Sequence, residues 1–238
     1  MLVQSMTFAE AYRELDRDRE NLTRWWKTQV DRLRRQMIKR DRTAFPVAYS
    51  YDYTTPRHIR YLVNAVIGDK RLKSFLTVCV ALQGKTVYMA WFYDDREVRP
   101  MVMLPHMWQR YAERMQFDDD HKHLVQKFFL RNFSGCGTKN QKVVSRTVRY
   151  NGEDHLALCM DDGVLLGRLD GDIFVAKTFI TYEMSCGRQE EEFTRLQHAI
   201  HSPSLTVPQY MRHLPVPELQ GITIPKKLLD KINKKTEI

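Results

Sequence analysis

Clustered cysteines, long apolar runs and glycine-rich nucleotide loops are all missing from this chain, and each absence removes a class of function. The four cysteines, Cys79, Cys136, Cys159 and Cys186, form no CxxC pair and stand near no histidine set with ligand spacing. A zinc ribbon or a disulfide framework is therefore not expected, and reduced thiols in the cytoplasm are. No stretch approaches the roughly 18 apolar residues of a membrane span, and the opening MLVQSMTFAEAYRELDRDRE lacks the hydrophobic region of a signal peptide. No membrane partner is expected. GxSxG, HExxH, P-loop and GxGxxG patterns are absent as well, which argues against the common hydrolase, metalloprotease and nucleotide-binding classes. His121 and His123, like His198 and His201, lack a companion Cys or carboxylate set, so no metal or cofactor is expected. Internal repeats and low-complexity tracts are missing too.

What remains is a basic, core-forming chain. Of its 238 residues, 43% are apolar and 11% aromatic, enough to bury a core in one large domain or one domain with appendages. Thirty-eight Lys and Arg face 29 Asp and Glu, a formal charge of +9 that favours polyanionic partners such as RNA or other nucleic acid. The charge is unevenly spread. From Thr7 to about Arg40, Leu15, Leu22, Trp26, Val30, Leu33 and Met37 recur at helical spacing with no Gly or Pro between them. The second half of this long amphipathic helix carries eight cations, Arg32, Arg34, Arg35 and Lys39 among them, against Asp31 and Asp41. Such a face serves either as a solvated exterior or as a phosphate-contacting arm.

Residues 43–56, TAFPVAYSYDYTTP, lie between two prolines and suggest an extended connector, followed by a helix over RHIRYLVNAVIGDKRLKSF. FLTVCVAL and KTVYMAWF, joined at Gln83-Gly84, predict a hairpin, and EVRPMVML a third strand near an edge, where the missing N–H of Pro100 is tolerated. Two helices follow, Pro105 to about Met115 and Asp119 to Asn132. Between 142 and 182, KVVSRTVRY, EDHLALCM, VLLGRL and DIFVAKTFITYEM are punctuated by Asn151-Gly152, Asp161-Asp162-Gly163 and Asp170-Gly171, the turn chemistry of an antiparallel meander. CGRQEEEFTRLQHAIHS predicts a last helix. The expectation is an α+β protein: a long basic helix (1–42), a domain with helices packed on an antiparallel meander (43–201), and a Pro-rich basic tail (202–238).

LPHMWQRYAERMQF carries the most specific chemistry. Four-residue spacing places His106, Arg110 and Arg114 on one helical stripe, with Tyr111 beside it. An imidazole can accept a proton near neutral pH, and guanidinium groups offer paired donors to phosphate oxygens. Together they meet in type the needs of metal-free phosphoryl transfer, in which a base activates a ribose 2′-hydroxyl and cations stabilise the phosphorane. Strand alternation puts Lys177, Phe179 and Thr181 on one face and Ala176, Thr178 and Ile180 on the other, so Lys177 and Thr178 share a site only if the strand bends. Glu113 offers a plainer account, a salt-bridged helix surface.

The order H-x3-R-Y-x2-R on a helix, a second helix, then a meander whose closing strand carries K-T resembles the BECR-type ribonuclease fold of barnase-like, colicin and RelE-like toxin domains. It spans residues 99–185. The resemblance implies metal-independent RNA cleavage, with His106 as acid or base, Arg110 on the phosphate, and Lys177 and Thr178 completing the site. Arg114, Tyr111, Arg32, Arg34, Arg35 and Lys39 would then contact nucleic acid, and a protein antitoxin is a possible partner. The alternative is a noncatalytic scaffold from a mobile element or phage that binds nucleic acid or protein.

Overall fold

The computed structural model describes residues 1–39, 47–68, 71, 75–93, 100–132, 135–138 and 155–200. The long helix α1 runs from Phe8 to Ile38 and begins with a capping box, in which Thr7 accepts from the Glu10 amide and Glu10 accepts from the Thr7 amide. At 1.5 Å per residue it is about 46 Å long. Leu15, Leu22, Trp25, Trp26, Leu33 and Met37 form its buried stripe.

Two segments differ from the sequence expectation. The anticipated connector contains strand β1 (Val47–Thr54), whose Tyr49, Tyr51 and Tyr53 all face α1. Tyr53 stacks on Trp25 with centroids 4.2 Å apart, a pair worth about 0.5–1.5 kcal/mol beyond its buried area. The anticipated helix over 57–75 is instead strand β2 (Arg60–Ile67). Every residue of β2 after Arg60 is buried, because α1 covers one face and another helix the other. A strand covered on both faces loses the polar alternation that would have distinguished it from a helix.

Strands β3 (Phe75–Gln83) and β4 (Thr86–Tyr93) form the expected hairpin, with Gly84 at φ 59° in its turn. Strand β5 (Met101–Met103) is also present, but it lies inside the sheet. Helices α2 (Pro105–Met115) and α3 (His121–Arg131) follow, the latter capped by Asp120. The meander comprises β6 (Gly135–Thr138), β7 (His155–Met160), β8 (Val164–Asp170) and β9 (Ile173–Ile180), and α4 (Arg188–Ile200) succeeds it. The KVVSRTVRY segment, the Asn151-Gly152 turn and the tail from 202 lie outside the described residues.

Among the described residues the strands make one nine-stranded sheet in the order β1-β2-β3-β4-β5-β9-β8-β7-β6. Neighbours are antiparallel except β5 and β9, which pair in parallel from Met101–Phe174 to Met103–Ala176. Helix α1 packs on one face through a cluster that includes Tyr61, Cys79, Tyr88, Val102 and Val175. Helices α2 and α3 cover the other, against Leu62, Val80, Met103, Leu165 and Phe179. Residues α4 buries, Phe193, Leu196 and Ile200, meet Leu166 and Ile180, neighbours in sequence of Leu165 and Phe179, which puts α4 on the α1 side. The result is an α+β architecture of three layers.

A bulge breaks the alternation expected along β9. Leu166 pairs with Thr178 while Gly167 pairs with Ala176, leaving Lys177 as the extra residue. Ala176 and Phe179, predicted on opposite faces, consequently share the core beneath α2.

Candidate functional site

Helix α2 starts with Pro105 in its first turn, where a missing N–H costs nothing, and ends at Gln116 with φ 56°. Met107, Trp108 and Tyr111 anchor it to the sheet. Tyr111 is fully buried, with edge-on rings of Phe117, Phe128 and Phe179 at centroid distances of 5.8, 4.9 and 5.0 Å. Its hydroxyl donates to Asp162 Oδ2 at 2.7 Å. Burial, and then the adjacent Asp162 charge, push the phenol well above its ordinary range. Tyr111 is thus a core anchor rather than a surface contact for nucleic acid.

Asp162 gathers more than Tyr111. Arg131 reaches it through Nε at 2.8 Å and NH2 at 2.6 Å, and Asn132 donates Nδ2 at 2.9 Å while accepting from the Asp162 amide at 2.9 Å. One carboxylate therefore ties α2, the end of α3 and the β7–β8 turn together. The Asp-Asp-Gly sequence signals the turn, but nothing local signals the remote arginine.

The flank of α2 bearing the stripe is open. His106 is exposed, and Arg110 Nε lies 3.4 Å from its Nε2 atom. Arg110 NH1 also pairs with Glu113 Oε2 at 2.7 Å, and Gln109 donates to the other Glu113 oxygen at 2.9 Å. The Gln109 hydrogen bond and then Arg110 hold the Glu113 carboxyl below its usual range. Arg114 is half-buried one turn further on. Burial, and then Arg110, lower the pKa of its guanidinium, while Glu113 opposes them.

The remaining candidates divide between the layers. Lys177 sits half-buried at the β9 bulge, on the strand that α2 packs against. Thr178 precedes Phe179, which faces α2, and pairs with Leu166, which faces α4. It therefore belongs to the opposite face of the sheet from His106. Arg32, Arg34, Arg35 and Lys39 all lie on α1, across the sheet from α2. Arg34 pairs with Asp31 at 3.4 Å, Arg35 Nε donates to the Asp31 carbonyl at 3.3 Å, Arg32 donates to Gln29 at 3.4 Å, and Lys39 closes the helix. Sequence reasoning placed one nucleic-acid surface where the fold presents two cationic regions on opposite faces.

Among the described residues, no group of three or more His, Cys, Asp and Glu is placed to hold a metal ion, and no helix is long and apolar enough to cross a membrane. His123 bonds Asp120 at 2.6 Å, while His121 packs edge-on to Trp108 with centroids 5.7 Å apart. Burial lowers the His121 pKa. No protein family, curated protein or solved structure matches this chain.

Proposed function

We propose that the chain acts on RNA at the α2 flank, in the manner that its resemblance to barnase-like ribonucleases implies. His106 takes the proton of a ribose 2′-hydroxyl as the 2′-oxygen attacks phosphorus. The 5′-oxygen leaves with a proton from solvent, and a guanidinium of the same flank stabilises the charge that gathers on the phosphate oxygens. The observation that carries this reading is the exposed His106 with Arg110 at 3.4 Å. The chain order of α2, α3 and an antiparallel meander also supports it. Thr178 takes no part, because its face is turned away, and Tyr111 acts only as an anchor.

The placement of Thr178 favours a second reading, a noncatalytic scaffold that binds nucleic acid or a protein partner. One assay separates the two. Labelled RNA is incubated with purified protein in EDTA, beside His106→Ala. Cleavage that His106→Ala abolishes is the expected result. RNA bound but left intact supports the scaffold, and equal cleavage by both proteins removes His106 from the mechanism.

A further inference from the structure

Arg114 differs from the other cation on its flank. Arg110 is committed, with NH1 on Glu113 at 2.7 Å and Nε beside His106 at 3.4 Å. Arg114 is half-buried, and its NH1 atom is sealed from water with no hydrogen-bond partner among the described residues. Guanidinium groups stay protonated in proteins, so a sealed bare N–H leaves both a donor and a positive charge unmet. An anion would satisfy both. Arg110, one turn away, adds a second positive group, which suits an oxyanion with several charged oxygens better than a single carboxylate.

We propose that Arg114 is the principal phosphate-binding group of the α2 flank, taking one RNA phosphate in its fork while Glu113 holds Arg110 beside His106. This rests on the reading that the flank acts on RNA. In that arrangement Glu113 is a positioning residue. It neutralises Arg110 and so leaves Arg114 as the stronger attraction for a phosphate.

The test uses the full chain in EDTA and a labelled single-stranded RNA, with affinity followed by anisotropy across a salt series. Arg114→Gln should weaken binding about ten- to a hundredfold and reduce the salt slope by about 0.7 for the one lost contact. Arg114→Lys should recover part of the affinity, since an ammonium lacks the paired donors, and it serves if the glutamine variant does not fold. Glu113→Gln should tighten binding by freeing Arg110. Unchanged affinity and slope in Arg114→Gln, or a larger loss in Arg110→Gln, would overturn the assignment. Inorganic phosphate titrated against the side-chain Nε–Hε NMR signals separates the sources. A shift at Arg114 without RNA binding leaves an anion site and sinks the RNA reading. RNA binding that is indifferent to Arg114 sinks this assignment alone, and failure of both ligands sinks both.

Discussion

Asp162 and Arg131 face each other as a two-pronged ion pair, with Nε on one carboxylate oxygen at 2.8 Å and NH2 on the other at 2.6 Å. The carboxylate side chain is 7% exposed and the guanidinium 36%. Tyr111, adjacent in sequence to Arg110, hangs from the same oxygen that Arg131 Nε contacts. The geometry of the α2 flank thus depends on a residue in the β7–β8 turn.

Asp162→Asn should destabilise the fold by about 2 kcal/mol, less than for a fully buried pair because Arg131 keeps access to water. Urea unfolding near neutral pH measures it, and an unmoved midpoint would show that the network contributes nothing. If the flank cleaves RNA, the same variant should lose activity beyond what its stability predicts, since Tyr111 no longer fixes α2.

Asp52 supplies a pH dependence. Burial raises its pKa, but hydrogen bonds from Arg60 at 2.9 and 2.7 Å and the Lys122 ammonium at 3.1 Å more than offset this, leaving the folded carboxyl below its ordinary 3.8. A carboxyl that titrates lower in the folded state stabilises it above the unfolded pKa, and that contribution vanishes as pH falls through the folded value. Asp52→Asn should cost up to about 1 kcal/mol near pH 7, because Arg60 is half exposed. The gap from wild type should close by about pH 2.5. A gap that persists in acid would assign the loss to packing.

Gly167→Ala tests the bulge. A Cβ there would sit 2.0 Å from the Val175 carbonyl oxygen and 2.8 Å from the Phe174 ring. Backbone must move to admit it, so a loss of about 2–3 kcal/mol is expected. A thermal midpoint equal to wild type would mean that the two strands do not approach as closely as described.

Much of the scaffold was legible because its signals are local. The apolar stripe of α1, the Gly84 and Gly171 turns and the proline-led start of α2 each announce themselves within a few residues. β2 was not legible: RYLVNAVI is buried on both faces and carries no polar rhythm. β5 was recognisable as a strand, but its interior position depends on β9, far along the chain. The candidate site divides in the same way. The spacing of His106, Arg110 and Arg114 is intrinsic to a helix, whereas the face Thr178 adopts follows from a register shift opposite Gly167 that no reading of β9 alone contains. The Asp162–Arg131 pair was hidden because turn chemistry already explained the aspartates.

The parallel seam between β5 and β9 sets an order on assembly. As the chain emerges during synthesis, the first five strands and α1 can come together early, but β5 must hold a bare edge until the closing ribbon of the meander arrives. Interruption before Ile173 would strand that edge next to apolar Met101 and Met103, an invitation to pair with a neighbouring nascent chain.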